Sequence, residues 1–131
     1  MSGEYNLETL IRSMEPVLHP QTYVFVTVPK DFDTKPVKAL MQFEEQEGTT
    51  LILEQKVAVQ AGLPFEFPCR KITLNVHSAL DAVGFLARVT TKLAGLGMGV
   101  NPVSGFYHDH LFIPEDRAED AMTALLEMTK S

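Results

Sequence analysis

The chain has 131 residues, 45% of them hydrophobic and 21% charged, with a formal net charge of −6. A chain of this size and balance is one compact domain or two small modules, and it buries enough apolar surface to need no disulfide or structural metal. A disordered chain is excluded, and the 11 lysines and arginines lie scattered rather than in the basic stripe that nucleic acid requires. No apolar run reaches the roughly 18 residues of a membrane span, and Met1 to Asn6 lack the basic and apolar regions of a signal peptide. The expected compartment is therefore the cytoplasm, with neither nucleic acid nor membrane as partner. The single cysteine, Cys69, has no internal partner and reads as a small filler entering a strand.

Leu7, Leu10, Ile11 and Met14 recur at helical spacing, so Asn6 to Met14 reads as a short amphipathic helix. Asn6 is its expected N-cap, and Pro16 with Pro20 is expected to end the segment. Tyr23 to Val28 is a β-branched and aromatic run, a buried strand stopped by Pro29. Lys30 to Lys38 is a polar connection. Ala39 to Glu45 alternates as a half-exposed strand, Glu47 and Gly48 form a turn, and Thr49 to Leu53 returns as its hairpin partner. Glu54 to Ala61 reads as a two-turn helix with Val57 and Ala58 inward, ended by Gly62; Leu63 to Pro68 follows as a packed linker.

From Arg70 to His77 the chain alternates, with Ile72, Leu74 and Val76 on one face of a strand. The period turns helical from Val83 to Leu96, where Leu86, Val89, Leu93 and Leu96 share a side before Gly97 and Gly99. Val100 to Phe106 and His110 to Ile113 are two more strands around a turn at Tyr107 to Asp109. Pro114, Glu115 and Asp116 open a last helix, with Ala118, Ala121, Met122 and Leu125 as its buried stripe.

The second half thus runs strand, helix, strand, strand, helix. The first half repeats that order with an irregular segment in place of its first helix. The fold class is α+β: a ferredoxin-like βαββαβ plan used twice, the first copy degenerate, with antiparallel sheets and helices on one face. The expected division places residues 1–68 in the first unit and 69–131 in the second. Ser131 directly follows the last helix, so the second unit lacks its final strand. Tyr23 to Val28, or a strand from a second subunit, is expected to fill that edge.

Two constellations carry chemistry. From Ser78 to Phe85 a strand runs into a helix start, where unpaired N–H groups and a positive dipole end suit a carboxylate. The structural alternative is an ordinary helix capped by Ser78 or Asp81, with Gly84 there for packing alone. His77, His108 and His110 are the second: three imidazoles that can hold a divalent metal if neighbouring strands bring them together, or else an ordinary hydrogen-bonded turn. No nucleophile, base and orienting group assemble, and Gly95, Gly97 and Gly99 follow a helix rather than precede one, so no enzyme is expected.

The stretches Ile72 to Phe85 (ITLNVHSALDAVGF) and Asn101 to Pro114 (NPVSGFYHDHLFIP) resemble those of small bacterial ACT-domain proteins formerly grouped as a domain of unknown function. Phe43 to Ile52 (FEEQEGTTLI) resembles the first half of the same family. The resemblance implies ferredoxin-like units that pair side by side, with amino acids or other small effectors bound between them. The contact falls at the loop after the first strand and at strand two of a neighbouring unit. On this chain it implies Ser78, Ala82, Val83, Gly84 and Phe85, with Asn101, Val103 and Ser104 across from them. The expected function is a small-molecule-binding regulatory module without a cofactor, a homo-oligomer (dimer or tetramer) responding to an amino-acid-like effector. The readings set beside it are a metal-binding protein using the three histidines and a purely oligomerising subunit.

Overall fold

A computed structural model describes residues 3–130. In chain order its elements are α1 (Leu7–Ser13), β1 (Glu15–Val28), a 3-10 turn (Lys35–Val37), β2 (Met41–Glu44), β3 (Thr49–Glu54) and α2 (Gln55–Gln60). Then come β4 (Glu66–Asn75), α3 (Phe85–Ala94), β5 (Asn101–Ser104), β6 (Asp109–Pro114), a second 3-10 turn (Glu115–Arg117) and α4 (Ala118–Met128). The described chain forms two compact units, residues 21–69 and residues 3–20 with 70–130. Strands β1 and β4 each run through both, and the expected boundary at residues 68 and 69 falls inside β4.

In the unit of residues 3–20 and 70–130 the strand order is β1, β4, β6, β5. Counted from β4 as the first strand, this is fourth, first, third, second, the ferredoxin-like order. β5 and β6 are antiparallel, in register from Asn101 opposite Phe112 to Ser104 opposite Asp109. Ile72 and Leu74 of β4 and Leu111 and Ile113 of β6 point to one side. There they join Val89 and Leu93 of α3, Leu125 of α4 and Leu10 of α1 in a single buried cluster. Helix α1 starts as its sequence requires, with the Asn6 side-chain oxygen accepting the Thr9 N–H at 2.9 Å.

The missing edge is filled by residues 15–20 of β1, neither by Tyr23 to Val28 nor by a second subunit. Pro16 and Pro20 do not break the chain but lie within the strand. They are four residues apart, so both ring nitrogens face the same side of the strand. Within this unit the segment is at the edge of the sheet, the place where a strand tolerates proline.

In the unit of residues 21–69 the order is β2, β3, β1, β4, the same plan read from the other end. β1 pairs with β3 antiparallel from Tyr23 opposite Glu54 to Val28 opposite Thr49. β2 pairs with β3 from Met41 opposite Ile52 to Glu44 opposite Thr49. The hairpin turn admits only glycine at position 48, because a Cβ there would lie 2.8 Å from the Val28 carbonyl oxygen. Where a helix would link first and second strands there is only the turn Lys35–Val37, followed by Lys38 in the left-handed region at φ 46°. The segment read as a linker, Leu63 to Pro68, is in part a strand: β4 begins at Glu66 and supplies the fourth strand. Phe67 takes φ 60° and stacks edge-on against Phe25 at 5.8 Å. Val24, Val26, Val28, Leu51, Leu53 and Ala58 form the core, and the buried Cys69 thiol donates to the Tyr23 carbonyl at 3.3 Å.

Candidate functional site

β4 ends at Asn75, and the chain then makes a tight excursion before α3. Its main-chain groups are largely engaged. The Ser78 N–H bonds the Val76 carbonyl at 3.0 Å, the Ala82 N–H bonds the Ala79 carbonyl at 3.0 Å, and the Ala79 N–H bonds the Glu4 carbonyl at 3.0 Å. Glu4 also donates its N–H to the His77 carbonyl at 2.8 Å, so residues 3–5 run beside the loop in a short parallel bridge. Tyr5 adds a hydrogen bond to Asp81, whose carboxylate raises the Tyr5 phenol above its ordinary value.

Helix α3 begins later than its stripe suggests, at Phe85, and neither Ser78 nor Asp81 caps it. Gly84 is the N-cap, at φ 93° in the left-handed region, with no side chain to bond the first turn. Ser78 instead donates its hydroxyl to the Ala79 carbonyl at 3.3 Å, and Asp81 is taken by Tyr5. The N–H groups of Phe85, Leu86 and Ala87 therefore have no acceptor within the helix and no capping oxygen. The helix dipole adds partial positive charge at the same point.

That helix start opens on a cleft of about 130 Å³, room for roughly four water molecules or one small metabolite. Ser78, Ala82, Gly84 and Phe85 line it from the loop and helix, with Leu86 and Ala87 behind them. Ser104, Gly105, His108 and Asp109 line it from the β5–β6 turn of the same unit. Of the other expected residues, Val83 points to solvent at 86% exposure, Asn101 is exposed and Val103 is half-buried, and none of the three lines the cleft. Gly84 also borders a larger, more open groove of about 730 Å³ among Leu7, Arg88, Lys92 and Glu127 on the helical side.

Sequence reasoning missed the part that Asp109 plays. Asp109 is only 8% exposed, and Ser104 donates its hydroxyl to one carboxylate oxygen at 2.5 Å. A signal was present: Asp109 shares strand parity with Leu111 and Ile113, which places an acidic residue in line with the core.

The three histidines of the metal reading do not gather. The His77 ring lies against Phe106 and Tyr107, with centroids 6.2 and 5.3 Å away. His108 precedes β6 rather than lying in it, and its Nδ1 is 3.4 Å from the Val76 carbonyl. His110 instead meets the hydroxyl of Thr73 at 2.9 Å, and His19 meets the same hydroxyl from the other side at 2.9 Å. Burial, then the nearby Lys71 charge, lowers both His110 and His19 below the usual imidazole range. Among the described residues no three His, Cys, Asp or Glu side chains form a group that could hold a metal ion.

Two split βαβ units, one carrying an uncapped helix start beside a small cleft, form a ferredoxin-like fold with a candidate ligand site. Comparison with known families agrees: ACT-domain models match residues 2–70 and residues 66–127. The chain belongs to the ACT-domain family. A solved Vibrio cholerae protein of unknown function, described as a possible transport protein, is 43% identical, with TM-score 0.87 over 94% of this chain and 95% of that one. A protein from Agrobacterium tumefaciens has TM-score 0.76 at 15% identity, covering 88% of this chain and 89% of its own. The regulatory subunit of aspartate kinase from Thermus flavus shares the fold at TM-score 0.61 and 10% identity, over 86% of this chain and 95% of that subunit. No curated protein matches the chain in sequence. Among the described residues no helix is long and apolar enough to cross a membrane.

Proposed function

We propose that the protein is a cytoplasmic, non-catalytic sensor that binds a small amino-acid-like carboxylate in the cleft at the start of α3. One observation carries this reading: the first turn of α3 has no side-chain cap, and its residues Phe85, Leu86 and Ala87 line a cleft. A carboxylate placed there accepts those N–H groups and meets the positive end of the helix dipole. Gly84 lets the main chain approach the ligand without a Cβ in between. Binding then favours whichever subunit or loop arrangement holds the cleft closed, and that preference is the signal.

The unit that carries the cleft is also proposed to self-associate. Leu80 and Val83 of the loop and Phe106 and Tyr107 of the β5–β6 turn are 53%, 86%, 58% and 63% exposed, more apolar surface than solvent favours at one site. Sedimentation of the purified protein should show a dimer or tetramer.

A thermal-shift screen against the twenty amino acids and related small carboxylates at millimolar concentration tests the binding reading. A ligand at a hundred times its Kd adds about 2.7 kcal/mol. For a chain of this length that is a rise in Tm on the order of 10 °C. No shift with any compound would leave the cleft without an effector and overturn the proposal.

A further inference from the structure

Thr73 of β4 and His110 of β6 alternate with Ile72, Leu74 and Leu111, so they leave the sheet on the face turned away from the buried helical cluster. His19 of β1, next to the inward Leu18, joins them there. Its Nε2 lies 2.9 Å from the Thr73 hydroxyl oxygen, and the His110 Nδ1 lies 2.9 Å from the same oxygen. Neighbouring strands β1, β4 and β6 are thereby linked through a single hydroxyl, on a residue only 9% exposed. Lys71 of β4 acts on both rings, while His108 and Asp109 act on His110 from the start of β6. From β5, Val103 is the residue opposite His110 and brings no charge. Among these groups Asp109 alone favours a protonated His110, and Lys71, His108 and His19 oppose it.

A hydroxyl has one proton to give and two lone pairs with which to accept. With both imidazoles neutral, one donates to Thr73 and Thr73 donates to the other, so both links close. One added proton keeps both links and fixes their direction, from the imidazolium through Thr73 to the neutral ring. A second added proton aims two charged donors at one oxygen, leaves the Thr73 hydrogen without its acceptor, and sets two cations beside Lys71. We propose that His19, Thr73 and His110 form a proton-operated latch on the amino-terminal edge strand, closed with no proton or one added and opened by the second. The link that gives way is that of His19, because residues 15–20 form the edge of this unit while Thr73 and His110 lie on its inner strands. Opening loosens residues 15–20 against β4. The latch is independent of the cleft and of any effector.

The test follows the ring protons of His19 and His110 by NMR from about pH 8 to about pH 4, together with hydrogen-exchange protection factors of the amides of residues 17–19. In the wild type the two rings should titrate as a pair, in steps more than about one pH unit apart. Protection should hold through the first step and fall roughly 10-fold at the second, the range of one hydrogen bond to a charged group. His110→Gln removes one of the two titrating rings, so that fall should disappear. Thr73→Val keeps the branched shape without the hydroxyl and should bring the two titrations closer together. Equal and independent titration of the wild-type rings overturns the latch, a result that needs no variant to fold. So does protection that holds through both steps, or an acid loss that persists in His110→Gln. A loss shared by the Leu51 to Leu53 amides of β3 is general unfolding and overturns it as well.

Discussion

The two units share one strand order and differ in what joins their first two strands. In residues 70–130 that connection carries the ten-residue helix α3, whose uncapped first turn lines a cleft. In residues 21–69 it is an irregular path with one 3-10 turn, Lys35–Val37, led by a proline in its first turn. A turn so short aligns too few peptide dipoles to hold an anion. The sheet therefore tolerates loss of this helix, whereas the proposed binding chemistry does not. One copy of the plan carries the scaffold alone, and the other carries both scaffold and candidate site.

The comparison can be broken most strongly at the cores. Leu74→Ala in one unit and Leu51→Ala in the other each remove a side chain that is 0% exposed, and each should cost about 3 kcal/mol in urea unfolding. A loss for Leu51→Ala below about 1 kcal/mol would show that the degenerate unit is loosely packed. Next come two glycines with positive φ, one in each unit. Gly84→Ala forces φ 93° on an L side chain and should cost about 1–2 kcal/mol and abolish the ligand-induced rise in Tm. Gly62→Ala, at φ 68° with open space around it, should cost a similar amount of stability and leave that rise intact.

Asn6→Ala removes the α1 cap and should lower stability by about 1 kcal/mol while leaving any ligand-induced rise in Tm intact. The histidines sharpen the comparison by pH. His19 and His110 have folded values below the ordinary 6.5, so the unfolded chain binds protons more readily. Their contribution is complete above about 6.5 and declines as pH falls from there toward the folded values. Urea midpoints at pH 7.5 and pH 5.5 should differ in that direction, and His110→Gln should narrow the gap. Smallest of all is Glu8→Gln, which removes an exposed 3.5 Å ion pair with Arg88 and should change stability by less than about 0.5 kcal/mol.

Much of this fold is legible in the sequence wherever side-chain period and burial agree. The α1 stripe of Leu7, Leu10 and Ile11, the alternation of β4 around Ile72 and Leu74, and the Gly48 hairpin all appear where their patterns place them. What was missed breaks a local rule that tertiary context overrides. Pro16 and Pro20 read as breakers, yet an edge strand accepts both. Phe67 at φ 60°, next to Pro68, interrupts any alternation that would betray the start of β4. At the candidate site the loop and helix start were legible from Ser78, Gly84 and Phe85, because a strand running into a helix leaves a recognisable order of residues. The cap was not, because Ser78 and Asp81 have side chains suited to it and spend them elsewhere. Asp109 was hidden by its place beside two histidines, which drew attention to metal chemistry instead of to its parity with Leu111.

Strand β1 also sets an order of events during synthesis. Residues 15–20 leave the ribosome early, yet the strand they lie beside, β4, and the rest of their unit are encoded in residues 70–130. Residues 21–69 can close on themselves much sooner. The amino-terminal segment must therefore wait, unpaired, while the intervening unit forms and the remainder of the chain emerges, a long-range closure of the kind that slows folding. Its two prolines suit that interval, since an exposed edge without a full set of N–H donors is a poor template for a neighbouring chain.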